Sequence, residues 1–88
     1  MAQLGLDPEQ MGTLQKAMLR DAGAIRTLAK KLDGQLSGAW WKGADADKFR
    51  SEWNGNHKAN LEKVCAALEA AGKVIATNVS QQTQASQA

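Results

Sequence analysis

Trp40-Trp41-Lys42-Gly43 stands almost at the midpoint of this 88-residue chain, with a long amphipathic pattern on each side. A Trp-x-Gly step between two helices reads as the elbow of a helical hairpin. Glycine reaches positive φ without the steric cost a Cβ imposes. Tryptophan adds a large, rigid apolar plate at the end of the hairpin.

Working back from the elbow, Asp7-Pro8-Glu9-Gln10 is a helix start. Asp7 can cap free amides, Pro8 suits the first helical position, and Gln10 can complete a capping box. Met11, Met18, Ile25 and Leu32 recur every seven residues, Leu14 and Leu28 fill the three-residue offsets, and Ala22, Ala29 and Leu36 widen the stripe. That is one continuous apolar face, broken by Asp21 on an inner offset, so it fits a bundle better than a long coiled coil. The spacing predicts helix 1 over 8–38, ending at Ser37 and Gly38 and about 45 Å long.

Forward of the elbow (39–44), Asp45 is the expected cap of helix 2, predicted over 45–79. Asp45 and Asp47 place negative charge where the helix dipole favours it. Ala46, Phe49, Trp53, Leu61, Val64, Leu68, Ala71, Ile75 and Val79 read as one side, and Glu69 with Lys73 as an outward i,i+4 pair. Trp53-Asn54-Gly55-Asn56-His57 is the weakest stretch, because Asn and Gly are poor helix formers. The helix is nonetheless expected to continue, since apolar residues resume at Leu61. Ser80 to Ala88 carries only Ser, Gln, Thr and Ala, which predicts a flexible polar tail. The expected domain is a single hairpin over 1–79.

Bulk composition narrows the function classes. Eleven basic and nine acidic residues leave a near-neutral balance, giving little pull towards nucleic acid or an anionic membrane. A basic stretch at Arg20, Arg26, Lys30 and Lys31 is diluted by Asp21 and Asp33 and reads as solvated surface. No short recognition helix follows a three-residue turn, so no DNA-reading helix-turn-helix is expected. No apolar run is long enough for stable membrane insertion. The opening residues lack the basic and apolar regions of a secretory signal.

No catalytic set is apparent. His57 is the lone histidine and has no nearby nucleophile to activate, which points to a half-exposed residue at the edge of the packing face. Cys65, the lone cysteine, excludes an internal disulfide and reads as a small buried helix residue. No metal cluster or phosphate loop is present in the pattern, so no enzyme activity and no cofactor or metal are expected.

Two features point to protein partners. Adjacent residues on a helix project about 100° apart, so Trp40 and Trp41 cannot both enter one intramolecular core; at least one is expected to be exposed or packed on another chain. A two-helix chain of this size also buries too little apolar surface alone. Small residues, Ala59, Ala66, Ala67, Ala70, Ala71 and Gly72, let another helix approach helix 2 closely. Two such hairpins would make a four-helix bundle. The expected hairpin or dimer core is Leu14, Met18, Ile25, Leu28, Leu32, Leu61, Val64, Leu68 and Ile75, with Trp40, Phe49 and Trp53 as partner contacts.

Leu36-Ser37-Gly38-Ala39-Trp40-Trp41-Lys42-Gly43, with Asp45 to Trp53 after it, resembles the WXG superfamily. These are small Esx-type, early-secreted-antigen-like proteins of type VII secretion systems. The resemblance covers nearly the whole chain: its length, the central Trp-x-Gly, two flanking helices, an aromatic (Phe49) soon after the elbow, and a polar tail. It implies an all-α antiparallel hairpin dimerising into a four-helix bundle, exported folded and without a cleaved signal. Its partners would be a second copy or another WXG protein, and the membrane-bound ATPase of the secretion machine. Trp41 and Gly43 match the family's Trp and Gly, one part of a composite export signal. The other part, Tyr-x-x-x-Asp/Glu after helix 2, has no counterpart: the chain lacks tyrosine, and no acid follows Glu69. That departure keeps open a cytosolic adaptor or chaperone for a larger secreted effector. A small DNA-binding helical protein is the more distant alternative.

Overall fold

The computed structural model describes residues 5–87; residues 1–4 and Ala88, which the expected hairpin and tail included, lie outside them. The chain forms α1 (Pro8–Gly38), α2 (Ala44–Glu52) and α3 (Lys58–Gln87). A π-wound turn, Trp53–His57, joins α2 to α3. Both flanking residues, Glu52 and Lys58, keep right-handed helical backbone, so α2, the π-turn and α3 form one rod. No strand occurs among the described residues.

The two rods lie antiparallel. Asp33 meets Trp53 and Lys58, Arg26 meets Glu62 and Glu69, and Leu19 lies against Gly72. Residue numbers fall along one rod as they rise along the other. The result measures 66 × 20 × 13 Å, a single layer of two helices.

Both ends of α1 are as expected from the sequence. Asp7 is extended and its Oδ1 accepts from the backbone amides of Glu9 (2.9 Å) and Gln10 (3.3 Å), answering two of the amides that a helix start leaves open. Pro8 occupies the first turn, where its missing N–H costs nothing.

Two readings of helix 2 are corrected. Asp45 is not its cap: Gly43 takes that position, without a side-chain bond, and Asp45 and Asp47 sit in the first turn. The expected weak stretch continues the rod, in π geometry. Helix also runs past Val79 to Gln87, because Gln and Ala are good helix formers and no Gly or Pro stands there to stop it.

Small side chains set how closely the rods approach. Ala22, Ala46 and Cys65 are fully buried, and Trp53 and Ile75 nearly so. Gly72 is buried opposite Leu19, whose Cδ2 lies 3.5 Å from where a Cβ would stand.

The large aliphatic residues are mostly not in this seam. Met18, Ile25, Leu61 and Leu68 are half-buried. Leu14, Leu28, Leu32 and Val64 are exposed, at 42, 58, 47 and 50 %. The hairpin therefore does not use these four as its own core, because a single layer buries only the line along which its helices touch. Taking Ala22 and Cys65 as the inward directions, Leu14, Ile25, Leu28, Leu32, Leu61, Val64, Leu68 and Ile75 all lie about 40–120° round to one side of their helices. Arg26, Asp33, Lys58, Glu62 and Glu69 lie about 20–60° to the other side. In an antiparallel pair, equal-handed offsets share a face. One face of the hairpin is apolar and the opposite one is charged.

The charged face is stitched. The Arg26 guanidinium forks onto Glu62 (Nη2–Oε1 2.8 Å) and Glu69 (Nη2–Oε1 2.9 Å). Glu69 thus turns towards α1 rather than pairing outward with Lys73, and Arg26 leaves the solvated basic stretch it was read into. The Arg26 donors hold both carboxyls below their ordinary range, and the two acids raise the arginine in turn. Arg20 pairs with its exposed neighbour Asp21.

Candidate functional site

Gly43 is the only described residue with positive φ. Its φ of 120° and ψ of 176° lie in a region essentially reserved for glycine. There the chain reverses, and the Gly43 carbonyl accepts the first bond of α2 from Asp47 N–H (3.0 Å). The last residue of the Trp-x-Gly step is thus a backbone requirement of the elbow.

The elbow is held by a residue that the sequence reading passed over. Arg50 Nε and Nη2 each donate to the Leu36 carbonyl (3.1 Å), Nη2 also donates to Ala39 O (3.0 Å), and Nη1 donates to Trp41 O (2.6 Å). Leu36 and Ala39 present carbonyls at the end of α1, where intrahelical donors run out, and Trp41 presents one in the elbow beyond it. No basic residue occupies the last turn of α1, so Arg50 supplies from the other rod the positive charge which that helix end favours. The signal was available: Arg50 lies seven residues after Gly43, two turns along the same side of the new helix.

Arg50 also lies over the Trp41 ring, 5.7 Å from its centre, and Phe49 meets the same ring at 5.9 Å, tilted by 46°. Trp41 is thereby fixed but still 40 % exposed, with Phe49 at 39 %. Trp40 projects almost entirely into solvent, at 87 %. The three aromatics expected as partner contacts therefore divide. Trp40 is free, Phe49 supports Trp41, and Trp53 turns inward as part of the seam.

Trp53 joins a second cluster. Its Nε1 donates to Asp33 Oδ1 at 3.0 Å, and Lys58 Nζ donates to the same oxygen at 3.1 Å. Lys58 also reaches Asn54 Oδ1 at 3.3 Å. The Trp53 and Lys58 donors lower the Asp33 carboxyl below its ordinary range. Beside this cluster a cleft of about 360 Å³ opens between α1 and α3, floored by Ile25, Ala29, Leu61 and Cys65 and rimmed by Arg26, Lys30, Asp33 and Lys58.

The remaining reactive side chains stay apart. His57 is exposed on the π-turn, and Cys65 is buried in the seam with a free thiol. Among the described residues no three of His, Cys, Asp and Glu gather to hold a metal. No described helix is long and apolar enough to cross a membrane. Compared with known proteins, the chain matches no family model, no curated protein and no solved structure. What the fold and site define is a class: an all-helical hairpin with a glycine-dependent aromatic elbow.

Proposed function

We propose that this chain is a WXG-type partner-binding protein of a type VII secretion system, acting by dimerisation and recognition rather than catalysis. The observation that carries the reading is the apolar face, where Leu14, Leu28, Leu32 and Val64 stand 42–58 % exposed on one side of a single-layer hairpin. An apolar surface of this kind, interrupted by Asp21, is characteristic of interaction sites. A second hairpin laid across it would complete a four-helix bundle. The partner is a second copy or another WXG protein. Trp41 and Gly43 form the recognition elbow, with Trp40 free to enter a pocket on the secretion ATPase or another partner. Export would take the folded dimer without a cleaved signal.

Light scattering at several concentrations tests this reading, with Leu28→Asp beside the native chain. A dimer for the native chain and a helical monomer for the variant are expected, since the bundle would bury an unpaired charge. Native chain that stays monomeric, alone and with co-expressed WXG partners, overturns it.

A further inference from the structure

The buried residues of the second rod have a spacing that no uniform α-helix satisfies. Ala46 is buried on the side from which Arg50 and Trp53 bond to α1 residues, and Cys65 and Gly72 are buried against α1 further along. Within each pair the separation is seven residues, which two α-helical turns bring back to within about 20°. Between Trp53 and Cys65 the separation is twelve, about a third of a turn beyond three whole turns. Uniform winding would point one pair at α1 and the other away from it.

The π-turn removes the conflict. Lys58 N–H donates to the carbonyl of Trp53, five residues back instead of four, so this turn holds one residue more than an α turn. Discounting that residue leaves eleven, within about 20° of three turns. The extra residue sits among Asn54, Gly55 and Asn56, where α winding is weakest. On α1, Asp33 spans the irregularity. Its Oδ1 takes one hydrogen bond from Trp53 before the extra residue and one from Lys58 after it.

We propose that the Trp53–His57 turn is a one-residue register insert, latched by Asp33, that lets the elbow end and the long arm of the second rod pack on α1 in phase. Relaxing the turn to α winding requires the arm to rotate by about 100° relative to the elbow. That rotation carries the apolar flank of α3 out of line with Trp53. The turn thus decides whether elbow and arm present one continuous docking face, which rests on the partner-binding reading above.

Deletions in the full-length chain test the proposal. Removing Gly55 takes out the extra residue and leaves both pairs in phase. That variant is expected to remain helical, to keep the Cys65 thiol as slow to react with a maleimide as in the native chain, and to melt roughly 4 °C or more higher. Removing Ala66, which lies between Cys65 and Gly72, breaks a phase that needs no correction. That variant is expected to melt lower and to expose Cys65 to rapid labelling. A Gly55 deletion that melts below the native chain or exposes Cys65 overturns the proposal, as does an Ala66 deletion as stable as the native chain.

Discussion

Gly43 makes its contribution through backbone alone. Its φ of 120° and ψ of 176° would place a Cβ in a conformation side chains rarely adopt, although no atom stands within 4 Å of that position. The cost of Gly43→Ala is therefore torsional rather than steric, on the order of 1–3 kcal/mol. Chemical denaturation of the variant is expected to show that loss, together with stronger exposure of Trp41 to fluorescence quenchers as the elbow loosens. Unchanged stability would mean that the chain can reverse here by another route. Arg50 is the complementary case, acting through its side chain. Its planar fork meets three carbonyls and one indole ring at once, a geometry that the point charge of a lysine does not reproduce.

Among the elements, the seam between α1 and α3 rests on small residues whose roles differ. Gly72 gives the impression of being required for close approach, yet Leu19 Cδ2 is 3.5 Å and Gln15 Cγ 3.7 Å from a Cβ built there. Those are ordinary contact distances. Gly72→Ala is expected to stabilise the hairpin by about 0.5–1 kcal/mol, since alanine costs less backbone entropy in a helix. A thermal melt checks this, and a lower Tm would show that the seam cannot take the methyl. The charged face makes its own prediction. Asp33, Glu62 and Glu69 titrate below their ordinary values of 3.8, 4.5 and 4.5 because of donors from Trp53, Lys58 and Arg26. A lowered folded-state pKa contributes stability above the ordinary value that is lost as pH falls through the lowered one. The hairpin is therefore expected to lose stability progressively below pH 4.5. Arg26→Met should flatten that acid loss by removing the partner of both glutamates. An acid profile unchanged in the variant would assign the loss to other groups.

For the molecule as a whole, a layer 13 Å thick has no interior. Its helices bury a line of alanine, cysteine and glycine and leave the leucines of one face in water. The Leu28→Asp comparison belongs at this scale, because Leu28 is 58 % exposed in the single chain. The substitution should leave isolated helicity intact and act only where a second chain covers it.

The chain's local signals sufficed for the helices, the break between them and the glycine of the elbow. Capping by Asp7, the seven-residue recurrence and the Trp-x-Gly step all act within a few residues of one another. They placed α1 over 8–38, as observed. Which leucines face the partner helix was not legible, because a stripe reports which residues avoid water and not what covers them. Nor was the inward turn of Arg26 and Glu69, which lie 43 positions apart. The π winding and the Asp33 latch were decided only by tertiary structure. Each exists because two helices must fit one another along their length, and a phase mismatch has no consequence until a second helix lies opposite.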